Sequence, residues 1–430
     1  MKKILIIGGG ISGLSSALFL SEAGYNVEII EASPKLGGRA YSFEYNGTQV
    51  DNGQHVLMEC YTNTFEYIDI TGSRELFHFQ DSLSINYVNN RRELSKFHIP
   101  KYFYPINNLI GLMNFKVLKL QDRFAVLALL IRIKKLNTTS YKDKTVYEYL
   151  KENKQSEDAI IKFWESLVAS TMNTSTTIAS SKMFIDMMKI IFFTDKRSAN
   201  IVIPKVDLSA TLIKPAVDKL ISNGVKISTS ERAIKFSSDH GKVTKVKTNK
   251  RTINDFDILI SSIPEQSLGR IKINNLIKTI GLPTLEYSPI ITVHVWLNIN
   301  PLKEKMYNLI GSEFDWVFNH GTHLSFLKSN AKMLVALNKN EVIKIVFSEL
   351  KKYFTILSNV EIKDYIVLKE ITATFIPNLD SINERKSIST PFENMHVIGD
   401  WTNTDLPATI EGAVKSGKDV TKKIISQFLI

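Results

Sequence analysis

Gly8, Gly10 and Gly13 stand in the spacing G-x-G-x-x-G, and Glu31 follows about twenty residues on. Each residue type has a physical task at that spacing. Gly8 permits a tight turn, Gly10 lets the backbone approach a pyrophosphate, and Gly13 lets a helix pack close against a strand. Main-chain amides at the start of that helix, where Ser12 also sits, are donors for phosphate oxygens. Glu31, with Ala32 beside it, is placed to accept hydrogen bonds from a ribose hydroxyl. A second glycine pair follows directly, in Leu36-Gly37-Gly38-Arg39-Ala40. Arg39 is permanently charged, and its planar fork suits a pyrophosphate. The chemistry these residues allow is the binding of a dinucleotide.

Two further stretches carry candidate residues. Residues 50–57 set Asp51, Gly53, Gln54 and His55 between apolar flanks, as in a strand that bends past a ligand. Asp51 and His55 are titratable and are therefore candidates for moving a proton; each also reads as a structural tie within its own loop. Residues 399–417 begin with Gly399-Asp400 after the apolar run 395–398. A loop then leads to a helix that Pro407 is expected to open, since a first-turn residue has no use for its N–H.

The elements that must position these residues can be read from hydrophobic patterning. Residues 3–7 form a short buried strand, residues 14–22 a helix stopped by Gly24, and residues 27–30 a second strand ending at Glu31. The chain of 430 residues is 44% apolar and 23% charged, an ordinary globular composition with room for a large core. Cys60 is the single cysteine, which excludes a disulfide framework and a cysteine-based metal site; no metal is expected. Glycines interrupt the apolar start of the chain, so it is not expected to be a signal peptide. No run of eighteen apolar residues exists, so no transmembrane helix is expected. The net charge of +11 suits nucleic acid or an anionic membrane surface. No zinc spacing, helix-turn-helix pattern or RNA-binding signature supports nucleic acid as a partner.

Residues 96–136 concentrate that charge, with eight basic residues against Asp122 alone. Tyr102, Phe103, Tyr104, Ile110, Phe115 and the apolar run 124–131 are interleaved with them. The pattern predicts a helix pair lying on a membrane surface, or a pair of core helices with solvated lysines.

The order Glu31-Ala32 followed by Gly37-Gly38-Arg39 resembles the flavin amine oxidase and phytoene desaturase superfamily, whose members bind FAD. Residues 50–57 and 399–417, together with 169–173, 203–209, 290–296 and 316–318, are similar to its branch of squalene-associated FAD-dependent desaturases, the hydroxysqualene dehydroxylases. The resemblance runs from residue 3 to about residue 420, and carotenoid desaturases share much of the frame. It implies an α/β fold with a discontinuous Rossmann-type FAD domain (1–70, 210–265 and 390–430) and an α+β substrate domain (71–209 and 266–389). It implies non-covalent FAD, since no cysteine follows Cys60. The cofactor would be held by Gly8, Gly10, Ser12, Gly13, Glu31, Ala32, Gly38, Arg39, Ala40, Gly53 and Gln54, with the main chain of Ala233 at the adenine. Gly399 and Asp400 would meet the ribityl or pyrophosphate linkage. The amides of Ala408, Thr409 and Ile410 would face the flavin N1–C2=O edge.

The activity implied is reductive dehydroxylation of hydroxysqualene to squalene at a cytoplasmic membrane face. A carotenoid-type desaturase, which moves hydride the other way, shares the frame. A non-catalytic lipid-binding flavoprotein and an amine oxidase are further alternatives; no aromatic cage for an amine can be assigned. Oligomeric state has no sequence signal.

Overall fold

A computed structural model of the chain describes residues 2–102, 104, 106–136, 144–273, 280–300, 302–354, 359–386, 388 and 390–428. Phe103 of the basic stretch lies outside the described residues.

The run Lys3–Ile7 is the central strand of a five-stranded parallel sheet. Its order is Lys226–Ser228, Asn26–Ile30, Lys3–Ile7, Ile258–Ser261, Met395–Val397. Unbroken Ile and Leu, rather than alternation, is what a strand covered on both faces requires. The helix Ile11–Glu22 covers one face, buried along most of its length. The last helix, Ile410–Phe428, crosses it so closely that a Cβ on Gly417 would meet Ser15 Oγ at 2.3 Å. The chain leaves Lys3–Ile7 toward Asn26–Ile30 on one side and later returns as Ile258–Ser261 on the other. A crevice opens at such a reversal, at the carboxyl ends of the strands.

Residues 233–236 extend to Asp239 and belong to a separate four-stranded sheet. They pair with Lys242–Thr248 across a turn in which His240 and Gly241 both take positive φ. A seven-stranded sheet forms the other half of the molecule, ordered Ile362–Phe375, Tyr287–Leu297, Leu324–Lys328, Trp316–Asn319, Met306–Ile310, Ser84–Asn89, Leu94–His98. Helices between residues 106 and 193 pack beside it around Phe97, Phe115, Phe163, Trp164 and Phe184.

The basic stretch folds as the helices Ile106–Asn114 and Leu120–Lys135. Val126, Leu129 and Ile133 are buried in the core, yet Leu120, Phe124 and Ile131 are 57%, 53% and 51% exposed. At 3.6 residues per turn these three share one stripe opposite the buried face. Arg123 is not free: its Nε donates to Leu118 O at 2.8 Å and its Nη1 to Met113 O at 2.6 Å, joining the two helices. Among the described residues no helix is long and apolar enough to cross a membrane.

Candidate active site

The first glycine turn is built as its spacing demands. Gly8 has φ +104°, and a Cβ there would meet Ser262 Oγ at 2.7 Å. Gly13 packs against that turn: its Cβ would stand 2.1 Å from Gly8 O. Gly10 is different. It caps the helix Ile11–Glu22 in extended geometry, and no side chain caps the first amides. A Cβ on Gly10 would meet nothing closer than Gly38 Cα at 3.8 Å. The uncapped helix end therefore opens onto a cavity, walled by Gly8, Gly10 and Ser12 but not by Gly13, whose part is close packing.

Glu31 ends the strand Asn26–Ile30 at the same opening. Its carboxylate accepts from Gly9 N at 2.6 Å and from Ser33 N at 2.7 Å. The second glycine pair is tied to the first, with Gly37 N donating to Gly9 O at 2.8 Å. Gly37 and Gly38 take φ +105° and +63°, a conformation that favours glycine. This turn brings Ala32, Gly38, Arg39 and Ala40 to the cavity wall. Arg39, expected on a pyrophosphate, has its fork engaged within the protein: Nη1 donates to Ala373 O at 2.8 Å and Nη2 pairs with Asp400. Burial works against its charge, but Asp400 first, with Tyr287 and Glu370, more than offsets this and holds the Arg39 pKa above its usual value. Ala233 reaches the wall at the far side, where Glu231 N donates to Glu31 O at 2.8 Å.

The segment after Met395–Val397 departs from expectation in two places. Gly399 does not line the cavity; with φ +148° it packs against the Trp401 ring, and Asp400 and Trp401 face the cavity instead. The helix starts at Ile410, three residues later than Pro407 suggested. Thr409 caps it, its Oγ1 accepting from Gly412 N at 3.0 Å. Ala408, Thr409 and Ile410 do line the cavity. Sequence reading missed what holds this segment. Arg385, 2% exposed, donates to the carbonyls of Asp400, Trp401, Thr402 and Leu406. It has no carboxylate partner among the described residues, and burial pushes its pKa down to about 10.

Residues 50–57 are not one bent strand. Thr48–Asp51 pairs with Ser42–Tyr45, a loop follows, and Leu57–Met58 pairs with Ile201–Pro204. The loop presents Gly53, Gln54 and His55 to the cavity. Asp51 is not there. Its Oδ1 accepts from Leu208 N at 2.9 Å and from Ser42 Oγ at 2.7 Å, and burial raises its pKa to about 6. Asp51 is thus a structural tie between two segments and not a group that reaches a substrate. Burial and the charge of Arg39 push His55 down to about 4, so it is neutral at neutral pH.

The cavity has a volume of about 1000 Å³ and two ends. One is the glycine cradle just described. The other is apolar, walled by Tyr87, Phe97, Phe163, Phe192, Met306 and Phe318. The stretches 169–173, 290–296 and 316–318 contribute to the wall between them through Ala169, Ser170, Ile290 and Trp316. So does Glu370, from the long strand Ile362–Phe375, which sequence reading also missed. Pro289 is the signal that could have found it. A proline inside a strand marks a bulge, and residues 371–373 bulge opposite it.

The family model described as flavin containing amine oxidoreductase matches residues 11–425. The hydroxysqualene dehydroxylase of Zymomonas mobilis is 25% identical, with 98% of each chain covered. The chloroplastic and chromoplastic 15-cis-phytoene desaturase of Arabidopsis thaliana is 21% identical over 99% of this chain and 80% of that protein. Among solved structures, an oxidoreductase from Methanosarcina mazei superimposes with a TM-score of 0.75 at 18% identity, covering 98% of this chain and 100% of that one. The glycine cradle, the sheet crevice and the matched length agree: this chain is a flavin-dependent oxidoreductase and belongs to the flavin containing amine oxidoreductase family.

Proposed function

We propose that the chain binds FAD and reduces an allylic alcohol of a long isoprenoid hydrocarbon, with hydroxysqualene as substrate and squalene as product. The observation that carries this reading is the two-ended cavity, which runs from a dinucleotide cradle into a chamber of aromatic and aliphatic side chains. The residues present suit FAD. The helix Ile11–Glu22 has an uncapped start for the pyrophosphate, and Glu31, held in place by the Gly9 and Ser33 amides, keeps a further lone pair on each oxygen for a ribose hydroxyl. Trp401 lines the cavity with an indole N–H that is buried and has no acceptor among the described residues. A bound and reduced flavin would supply the hydride that replaces the hydroxyl. The protein's own tasks are then to bury the hydrocarbon, exclude water and give a proton to the departing oxygen.

The exposed stripe Leu120, Phe124 and Ile131, flanked by exposed Lys119, Arg132 and Lys135, supports docking on an anionic membrane. The neighbouring helix lies beside the apolar end of the cavity: Asn108 Nδ2 donates to Phe192 O at 3.2 Å, and Phe192 is part of the wall. A lipid-soluble substrate would reach the chamber from that side.

The test is anaerobic incubation of the flavin-reduced protein with hydroxysqualene, followed by analysis of the extracted lipid. Squalene is expected. The likeness to phytoene desaturase favours one competing outcome, in which the oxidised protein introduces double bonds into a polyene and leaves hydroxysqualene untouched. That result would replace the proposed reaction with desaturation.

A further inference from the structure

We propose that Glu370 is the group that gives its proton to the leaving hydroxyl of the substrate. The inference rests on the reaction proposed above and names its acid.

Four carboxyl groups line the cavity wall: Glu31, Glu231, Glu370 and Asp400. Three are committed. Glu31 is held by the amides of Gly9 and Ser33, Glu231 by Thr248 and Arg251, and Asp400 by Arg39. Only the Glu370 carboxyl has no hydrogen-bond partner among the described residues. His55 shares the wall but is neutral there, and a neutral imidazole N–H is a poor acid. Burial raises the Glu370 pKa, and nearby Arg39 only partly opposes this. A carboxyl so placed holds its proton closer to neutral pH than an exposed one.

Its position in the sheet is equally specific. Along Ile362–Phe375 the pairing with Tyr287–Leu297 runs unbroken from Asp364, opposite Trp296, to Glu370, opposite Ile290. Pro289 then offers no N–H, and residues 371–373 bulge until Thr374 pairs with Ser288. The bulge turns the Ala373 carbonyl to Arg39 and leaves Glu370 at its edge. Glu370 thus stands between the Arg39–Asp400 pair of the cofactor cradle and Ile290 of the apolar wall.

The step balances as follows. The allylic C–O bond breaks with its electron pair staying on oxygen. The oxygen takes the Glu370 proton and leaves as water, and the carbon becomes an allylic cation. Glu370 is left as a carboxylate near the positive Arg39, which stabilises it. A bound and reduced flavin, the hydride donor of the proposed reaction, would supply the hydride for the new C–H bond. Water then returns a proton to Glu370.

The test compares wild type with Glu370→Gln and Glu370→Asp, all loaded with flavin. Glu370→Gln should keep flavin content and melting temperature while squalene formation falls at least about 100-fold, with KM little changed. Glu370→Asp keeps the acid one methylene further back and should recover part of that loss. Wild-type turnover should decline as pH rises through the Glu370 pKa, and this limb should vanish from the residual activity of Glu370→Gln. Independently of turnover, the infrared band of protonated carboxyls, followed as pH falls, should show in wild type a component that takes up its proton above the range of an exposed glutamate and that is missing in Glu370→Gln; the Asp51 component should be the same in both. A Glu370→Gln protein that makes squalene within about threefold of wild type, or whose carboxyl band titrates with every component of wild type, would overturn the assignment. If wild type makes no squalene, the substrate reading fails along with the leaving-group role. Loss of that one component in Glu370→Gln would still identify Glu370 as the carboxyl of the cavity whose proton is held above the usual range.

Discussion

Gly10 and Gly13 lie three residues apart in one motif, and the structure predicts opposite consequences for changing them to alanine. At Gly13 a Cβ would stand 2.1 Å from Gly8 O, a backbone atom, and 2.6 Å from Ser262 Oγ. Relief needs roughly 1 Å of separation between helix and turn, and overpacking of that kind costs about 1–3 kcal/mol or more. The apoprotein itself should melt a few degrees lower. At Gly10 the backbone is extended and a Cβ would have 3.8 Å of clearance. The fold loses nothing there, and restricting the unfolded chain contributes about 0.4–1 kcal/mol of stability. What the new methyl meets is the space above the helix start, where a phosphate would sit. Displacing that phosphate breaks at least one charge-assisted hydrogen bond worth about 1.5–3 kcal/mol, so FAD should bind about 10- to 150-fold more weakly. Thermal melts of both apoproteins and FAD titrations followed by flavin fluorescence separate the effects. Full FAD affinity in Gly10→Ala, or an unchanged melt in Gly13→Ala, would refute this account of the cradle.

Thr409→Val removes the cap on Gly412 N and should cost about 1 kcal/mol, read as a lower melting temperature; an unchanged melt would show that the cap is idle. Reversing Lys116, Lys119 and Lys134 to Glu should reduce sedimentation with anionic liposomes, and salt should do so in part; Arg123, spent on Leu118 and Met113, is left in place so that the fold is unaffected. Stability should fall as pH drops from about 6.5 toward 4. His294 and His320 are held to about 4 and His323 to about 3, by burial first, while the unfolded chain takes up protons near 6.5. Their contribution is therefore complete above that pH and is lost below it, at up to about 1.4 kcal/mol per pH unit for each histidine. Asp51, raised to about 6, acts in the opposite sense, since its folded form takes the proton first. The three histidines outweigh it; a melting temperature flat between pH 6.5 and 4.5 would contradict this.

What was legible in the sequence depended on local geometry. The glycine spacings announce themselves because positive φ at Gly37 and Gly38 and close packing at Gly13 are demands on single residues. Strands 3–7 and 26–30 read well because they are buried on both faces. The start of the last helix was misread because Pro407 is a sound first-turn residue by itself, whereas the working cap is Thr409. The neighbouring Glu411 looks like part of that helix start, but it accepts from the amides of Asn63 and Thr64 and so caps a helix almost 350 residues away. Asp51 looked like chemistry because its partners, Ser42 and Leu208, come from other segments. Glu370 and Arg385 were invisible for the same reason: one of two carboxyls in a strand that also carries two lysines, and a lone arginine in a short helix, gain meaning only from what the fold brings beside them.

The order of the parallel sheet has a consequence for synthesis of the chain. Lys3–Ile7 and Asn26–Ile30 emerge first, but the neighbours Ile258–Ser261 and Met395–Val397 and the covering helix Ile410–Phe428 come far later. At about 5–20 residues per second, the first strands wait roughly 20–80 s for their last partners. During that interval an apolar strand edge and one face of the helix Ile11–Glu22 lack their native cover. The nascent chain therefore offers chaperones a sticky N-terminal segment for most of its translation. Flavin capture can be completed only once residues 408–410 and the helix Ile410–Phe428 have joined the earlier strands.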